Sequence, residues 1–466
     1  MRKEQKANYP ESARGAAALL VRMVLEDGAY TNIALNQYLR GSRLSDLDRR
    51  LATELVYGTV KASGTLDWYL AQCVSRPLDK VAGDILAILR ISTYQLLYMT
   101  RIPASAAVNE AVKLARSVSH EGSAKFVNGV LRGLLRKQEA GAFVLPDAEK
   151  QEAGAFVLPD AEKQDADYLS LKYYHPRWLV KRWLGPWGRG GTERLLAFDN
   201  TAAPVCLRVN TLVTTRDKLL ADLTEMGAQV RASEWSPYGI VAEHLPSLHT
   251  LLAALPQHFY IQDESSMLVA PVLAPQPGMR VLDMCSAPGG KATHVAQLMQ
   301  DKGEVIACDI HEHKLELIAE NAARLGMKSV KALQNDALQL RSEWLGAFDR
   351  VLVDAPCSGL GVLRRRAEAR WRKQRKDLKL FPPLQLAILK NAAQYVKDGG
   401  TMVYSTCTIE QSENHYLVEE FLTQHPEWQR MEFTHPLTGE QVQELQLLPQ
   451  NDGIDGFYIC KLMKKQ

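Results

Sequence analysis

Apolar residues recur at three- and four-residue spacing through most of residues 11–137, as in ARGAAALLVRMVLEDG and ASAAVNEAVKLARSV. A helix needs that period to gather its apolar side chains on one face, and β-branched runs are few, so the pattern predicts helix nearly throughout. In LSDLDRRLATELVYGTV, Asp46 is placed to cap a helix whose apolar face is Leu47, Leu51, Leu55 and Val56. DKVAGDILAILRISTYQLLYM is apolar on most sides, which predicts the central helix of an all-α domain.

The period changes twice further along. Residues 166–260 mix two signals: YLSLKYYHPRWLVKRWLG predicts an amphipathic, basic helix, VCLRVNTL a strand, and TTRDKLLADLTEMG a helix ended by Gly227. A small α+β unit follows from that mixture. From Gln276, short β-rich runs (MRVLDMC, GEVIACDI, KSVKALQND, FDRVLVDAP, GGTMVYSTC) alternate with helical stretches. Such alternation predicts a parallel, doubly wound α/β sheet with ligand chemistry at the carboxyl ends of its strands. Between the first two regions QEAGAFVLPDAEK occupies 138–150 and recurs identically at 151–163. Two copies are too few for a solenoid, and Gly, Pro and acidic residues suit a surface linker where insertion is cheap. The pattern thus divides the chain into 1–137, a linker at 138–165, an extension at 166–260 and an α/β domain at 261–466.

A length of 466 residues fits two or three domains. Long uninterrupted apolar runs are missing, and the charged MRKEQKANYPESARG has no apolar core of a signal peptide, so no membrane span or secretion is expected. Seven cysteines without a C-x-x-C pair point to a reducing cytoplasm rather than a disulfide framework. His311, His313 and the other histidines show no ligand spacing with cysteine, so no metal is expected. The net charge of +3 announces no partner. Local clustering does: LRRRAEARWRKQRKD (363–377) holds eight Lys/Arg with Trp371 interleaved. Arg364, Arg365, Arg366, Arg370 and Arg372 are the candidate RNA-phosphate contacts there.

The candidate chemistry sits at strand ends. LDMCSAPGGKATHVA lacks the G-x-G-x-x-G spacing that cradles a pyrophosphate, yet Gly289 and Gly290 supply a tight turn before a helix. Asp309, Asp336 and Asp354 follow the next three strands. Carboxylates around one crevice can bind ribose hydroxyls and an amine and favour a cation. S-adenosylmethionine has all three features and no phosphate.

In this order and on these strands, LDMCSAPGGKATH, VDAPCSGLG and YSTCT resemble the RNA (cytosine-5)-methyltransferase family over about residues 260–466. LRVNT and QDESSMLV resemble that family's N-terminal extension, and residues 1–137 are similar to the antitermination factor NusB. The combination is similar to 16S rRNA (cytosine-5)-methyltransferases of the RsmB/Sun type. The resemblance implies an all-α NusB-like RNA-binding domain, a small α+β subdomain and a Rossmann-like domain that uses S-adenosylmethionine. It implies a cofactor loop of Cys285, Ser286, Ala287, Pro288, Gly289, Gly290 and Lys291, with Asp309 on the ribose, Asp336 beside the adenine and Asp354 at the cofactor–substrate junction. No chemical role falls to the Cys285 thiol.

Cytosine C5 is a weak nucleophile until a thiolate adds at C6, and the resulting enzyme–product bond must later be broken. Two thiols suit those two tasks. By resemblance Cys407 is the nucleophile and Cys357 assists release; support at N3 suits a carboxyl group such as Asp354, and Lys291 is placed to orient Asp354 or to offset the crevice's negative charge. Spacing alone does not rank the cysteines, since DNA cytosine methyltransferases attack with the cysteine of the Pro-Cys turn. The implied partner is 16S rRNA, naked or in an early particle, acted on by a monomer. The alternatives are a tRNA (cytosine-5)-methyltransferase, disfavoured by the NusB-like block, and a non-catalytic RNA-binding scaffold, disfavoured by the intact Cys357, Cys407 and Asp354.

Overall fold

The computed structural model describes residues 8–140 and 165–465. Apart from positions 138–140, the repeated QEAGAFVLPDAEK lies outside the described residues. The chain forms two compact units, one running to Thr201 and taking in Leu363–Gln374, the other made of Ala202–Val362 and Arg375–Gln466.

The first unit is helical: α1 (Ala13–Leu25), α2 (Thr31–Gly41), α3 (Asp46–Ala71), α4 (Gly83–Tyr98), α5 (Ala104–Val118), α6 (Glu121–Glu139), α7 (Asp165–Lys172) and α8 (Arg177–Phe198). The all-round apolar helix is α4, which packs against α1, α3, α5 and α6 and buries Ile85, Leu86, Ile88, Leu89 and Ile91. The cap of α3 falls one residue before the expected Asp46. The Ser45 hydroxyl accepts from the Asp48 amide, and the resulting phase leaves Leu47 79% exposed while Leu55 and Val56 are buried. The expected single helix over YLSLKYYHPRWLVKRWLG is broken between α7 and α8. Pro176 has no amide hydrogen to donate and disfavours helical backbone before it, so it stands as the N-cap of α8. Both helices join the first unit rather than the sheet that follows, because α7 packs on α3, where the Thr65 hydroxyl donates to the Leu171 carbonyl at 2.8 Å.

The second unit begins with a small antiparallel sheet in the order β2-β3-β1-β4, from β1 (Val205–Val209), β2 (Gln229–Ala232), β3 (Gly239–His244) and β4 (Phe259–Ile261). Helices α9 (Arg216–Glu225) and α10 (Leu248–Ala254) cover one of its faces through Leu219, Leu223 and Leu251. Short helices α11 (Glu264–Met267) and α12 (Val269–Leu273) lead into the larger sheet.

That sheet holds β5 (Arg280–Asp283), β6 (Glu304–Asp309), β7 (Val330–Gln334), β8 (Phe348–Asp354) and β9 (Val396–Thr406) as parallel neighbours in the order β7-β6-β5-β8-β9. The first turns toward the helices are α13 (Gly290–Leu298) after β5 and α14 (Glu312–Arg324) after β6. Residues 369–372 form α15, within the first unit, before α16 (Phe381–Tyr395) and α17 (His415–Gln424). All five predicted strands are present. The C-terminal part adds what alternation does not predict: β10 (Trp428–Arg430), the hairpin β11 (Phe433–Thr434) and β12 (Gln441–Val442), β13 (Glu444–Leu447) and β14 (Phe457–Lys464). Strand β14 runs antiparallel to β9, so the sheet is mixed rather than wholly parallel.

Candidate active site

The turn after β5 is tight, and its glycines are crowded by neighbouring side chains. Gly289 has φ 96°, and a Cβ at Gly290 would stand 2.9 Å from the Tyr260 ring. The Ser286 amide donates to the Cys308 carbonyl and the Gly289 amide to the Ser286 carbonyl, both at 2.7 Å, which fixes the loop from Cys285 through Ala287 and Pro288 to Lys291. Burial, aided by Asp283, pushes the Cys285 thiol well up, so it stays protonated and packs against the core beneath the sheet.

Four carboxylates stand at the strand ends. Asp309, ending β6, accepts from the His311 amide at 3.0 Å and lies 3.6 Å from Lys314. Asp336, just beyond β7, accepts from the Leu338 amide at 2.9 Å. Asp354 ends β8 and is held on both oxygens, by Lys291 Nζ at 2.7 Å and by the Ser405 hydroxyl at 2.9 Å. The fourth, Asp283, escaped the sequence reading. It is fully buried at the end of β5, where the Ser286 hydroxyl and the Cys285 amide stabilise its carboxylate without a well-formed hydrogen bond to either oxygen. Burial, with Asp354 adding to it, pushes Asp283 up to about 7. A buried carboxylate so weakly paired is costly unless a cation or amine completes it. The residues here therefore fit a ligand carrying a sulfonium, an ammonium and a ribose.

The two cysteines meet across neighbouring strands. Asp354 and Ser405 are register partners on β8 and β9, and the turns that follow bring the Cys357 and Cys407 sulfurs to 3.4 Å. The hydrogen bond to Cys407, together with burial, holds the Cys357 thiol well above its ordinary range. Lys291 is pulled down by burial, but Asp354 and then Cys407 outweigh it and leave its pKa raised, so its ammonium serves both groups. Its Nζ also lies 5.2 Å from the Phe457 ring centroid.

The chain is similar to known proteins over nearly its whole length. Residues 270–463 match the family model "16S rRNA methyltransferase RsmB/F", 11–136 match "NusB family", and 175–247 match "Methyltr_RsmF/B-like, ferredoxin-like domain". The chain is 36% identical to "Probable ribosomal RNA small subunit methyltransferase B" of Bacillus subtilis, covering 97% of this chain and 99% of that one. It is 32% identical to ribosomal RNA small subunit methyltransferase B of Klebsiella pneumoniae over 97% and 98%. The chain belongs to the RsmB/F family of ribosomal RNA small subunit methyltransferases. Among solved structures, PH0851 superposes with a TM-score of 0.81 at 26% identity, covering 99% of this chain and all of that one. Pyrococcus horikoshii NSun6 with SFG superposes at 0.56 and 25% identity, covering 62% of this chain and 98% of that one. The methyl donor of this family is S-adenosylmethionine.

Within this RsmB/F-family site, several residues do work that the sequence reading assigned to no one. The segment before α17 locks both cysteine turns at once. Glu413 accepts from the Ser358 amide and from Gln385 Nε2, both at 2.9 Å, while Gln385 Nε2 also reaches the Pro356 carbonyl. Asn414 accepts from the Thr406 hydroxyl at 2.6 Å and donates to the Thr408 carbonyl at 2.9 Å. Arg208, of the LRVNT stretch on β1, is fully buried. Its guanidinium donates to the Gly290 carbonyl, to Gln262 Oε1 at 2.5 Å and to the Thr293 hydroxyl at 2.9 Å. Asn210 of the same stretch donates to the Gln257 and Leu325 carbonyls. The small sheet thereby holds the first turn of α13 in place.

The basic stretch is largely committed elsewhere, which corrects the expectation for two of its arginines. Arg370 is 0% exposed and donates to the Tyr174 and Asp199 carbonyls and to Asn200 Oδ1 at 3.0–3.1 Å. Arg372 donates to the Val24 carbonyl at 2.8 Å and to that of Ala29. Trp371 donates from its indole to the Val60 carbonyl at 2.8 Å and lies against Gly64. These side chains satisfy carbonyl acceptors inside the first unit, leaving little for phosphate. Arg364 stacks on the Phe198 ring at 4.3 Å, Arg365 is half-buried, and Arg366 is exposed. Among the described residues no His/Cys/Asp/Glu group could hold a metal, and no helix is long and apolar enough to cross a membrane.

Proposed function

We propose that this cytoplasmic methyltransferase methylates C5 of a cytosine in 16S rRNA through a covalent adduct with Cys407. The observation that carries the reading is the thiol pair at 3.4 Å beside the Lys291–Asp354 ion pair. When bound, S-adenosylmethionine supplies an electrophilic methyl group. Cys285 to Lys291 and Asp309 would cradle it, Asp336 would flank its adenine, and Asp283 would face its positive charge.

Cys407 adds as thiolate to C6 of the base, which makes C5 an enamine carbon able to take the methyl group. Lys291 favours the thiolate by its charge. Asp354, oriented by Lys291 and Ser405, holds the proton or hydrogen bond at N3 that offsets charge on the ring. After transfer, the C5 proton must leave so that the C6–S bond can break and return the thiol. Cys357, whose thiol is held up by the hydrogen bond to Cys407 and by burial, assists that release in this reading.

The reading is tested by incubating the protein with labelled cofactor and 16S rRNA, 30S subunits or tRNA, then mapping 5-methylcytosine. Methylation of 16S rRNA or 30S subunits is expected. Label in tRNA alone would contradict the substrate assignment, and label on another atom would contradict the chemistry.

A further inference from the structure

Strand β14 alternates for most of its length. Phe457 and Ile459 face one side of the sheet, in the core that includes Leu352 and Val403, while Tyr458, Cys460 and Leu462 face the other. Period two places residue 461 on the first, apolar side, and the residue there is Lys461. It is 6% exposed, and among the described residues its ammonium has no carboxylate within 4 Å and no hydrogen bond.

The charge that acts on Lys461 is another cation. Burial, then Arg350 on β8, pull its ammonium down. Among the described residues the Arg350 guanidinium reaches only the Asp349 carbonyl, at 2.8 Å, and the Asp349 carboxylate is itself taken by Lys397 and the Arg280 amide. Two cations on an apolar sheet face cost stability unless an anion completes them.

The room for that anion is present. Lys461 lines a cavity of about 930 Å³ with Arg216, Trp235, Phe433 and His435. Among the described residues Arg216 makes only long contacts, to the Ser233 and Ser236 carbonyls at 3.5 and 3.4 Å. The Trp235 and His435 rings lie 6.1 Å apart. The lining carboxylates, Glu234 and Glu432, are exposed to solvent. None of Cys357, Cys407, Asp354, Lys291 or the cofactor loop lines this space.

The geometry points to a second ligand site, bounded by α12, the turn between β2 and β3 and the β11–β12 hairpin, that takes a nucleotide phosphate on Lys461 and Arg216. A phosphate accepts from an ammonium and a guanidinium together, and the apolar and aromatic walls suit the attached nucleoside. That the phosphate comes from the RNA substrate rests on the proposed function; a free mononucleotide offers the same chemistry.

Titration calorimetry of the full-length protein with inorganic phosphate, AMP and a short single-stranded RNA tests the site, comparing wild type with Lys461→Met and Arg216→Gln. Methionine suits a position already patterned as apolar, so Lys461→Met should fold and bind S-adenosylmethionine as the wild type does. The expected result is a roughly tenfold loss of affinity for at least one phosphate-bearing probe in each variant. Loss for RNA alone assigns the site to backbone phosphate, and loss for AMP to a free nucleotide. Unchanged affinity for all three probes in Lys461→Met overturns the proposal. No arm depends on methyl transfer, so failure of the cytosine reading would be seen separately.

Discussion

The Cys357 and Cys407 sulfurs stand 3.4 Å apart because β8 and β9 are parallel neighbours with Asp354 opposite Ser405, and each cysteine lies just past that pair. So close a pair does not ionise together. The hydrogen bond to Cys407 and burial hold the Cys357 thiol well above its ordinary range, which suits it to the proton-carrying part in the proposed division of roles.

The Lys291–Asp354 contact, 2.7 Å long and mostly shielded from solvent, should be worth measuring as a unit. Lys291→Met leaves the Asp354 carboxylate without its cation, and kcat should fall by roughly two orders of magnitude. A double-mutant cycle with Asp354→Asn should give a coupling of about 1–3 kcal/mol; additive losses would show that the two act independently.

Asp283 sets a pH dependence near neutrality. Its pKa is raised to about 7 in the folded protein. A raised carboxylate contributes stability that is fully present below its ordinary range and is lost as pH rises through about 7. Cation binding has the opposite slope, since it favours the ionised form. Affinity for S-adenosylmethionine should therefore tighten between about pH 6 and 8, and this dependence should flatten in Asp283→Asn, as read by calorimetry across that range.

Asn414 spans both sides of the second cysteine turn, with the Thr406 hydroxyl, the Thr408 carbonyl and Gln446 Oε1 as partners. Asn414→Ala strands these groups in the interior. A loss of about 1–3 kcal/mol in chemical denaturation is expected, with kcat reduced and cofactor affinity kept.

In the helical unit, a Cβ at Gly64 would come within 2.4 Å of the Trp371 ring. Gly64→Ala should therefore lower Tm despite its better helix propensity, and Arg370→Ala should lower it too, at a stability cost of about 2–4 kcal/mol through stranded acceptors. An unchanged Tm in both would show that Leu363–Gln374 adds no stability to this unit.

What the sequence discloses follows the range of the signal. The five parallel strands and the strand-end Asp309 and Asp354 are legible because period and turn residues are local. Leu47 was misplaced because the choice between Ser45 and Asp46 as cap shifts the helix phase, and local pattern does not settle it. Asp283, Glu413 and Arg208 were passed over because their importance lies in what they meet after folding. Asp283 meets burial and the nearby Asp354, Glu413 the amide of a distant turn, and Arg208 the first turn of α13. The basic run at 363–377 misled in the other direction. Charge density predicts solvent and phosphate, whereas Arg370 and Arg372 are held by carbonyls far away in the chain.

The division of labour between the thiols is the central claim, and covalent trapping tests it most directly. Cys357→Ala and Cys407→Ala would each be incubated with S-adenosylmethionine and 16S rRNA, and denatured protein examined for bound RNA. Cys357→Ala should accumulate a covalent protein–RNA complex, and Cys407→Ala should form none and methylate nothing. A trapped complex in Cys407→Ala, with none in Cys357→Ala, would contradict the assignment and make Cys357 the nucleophile.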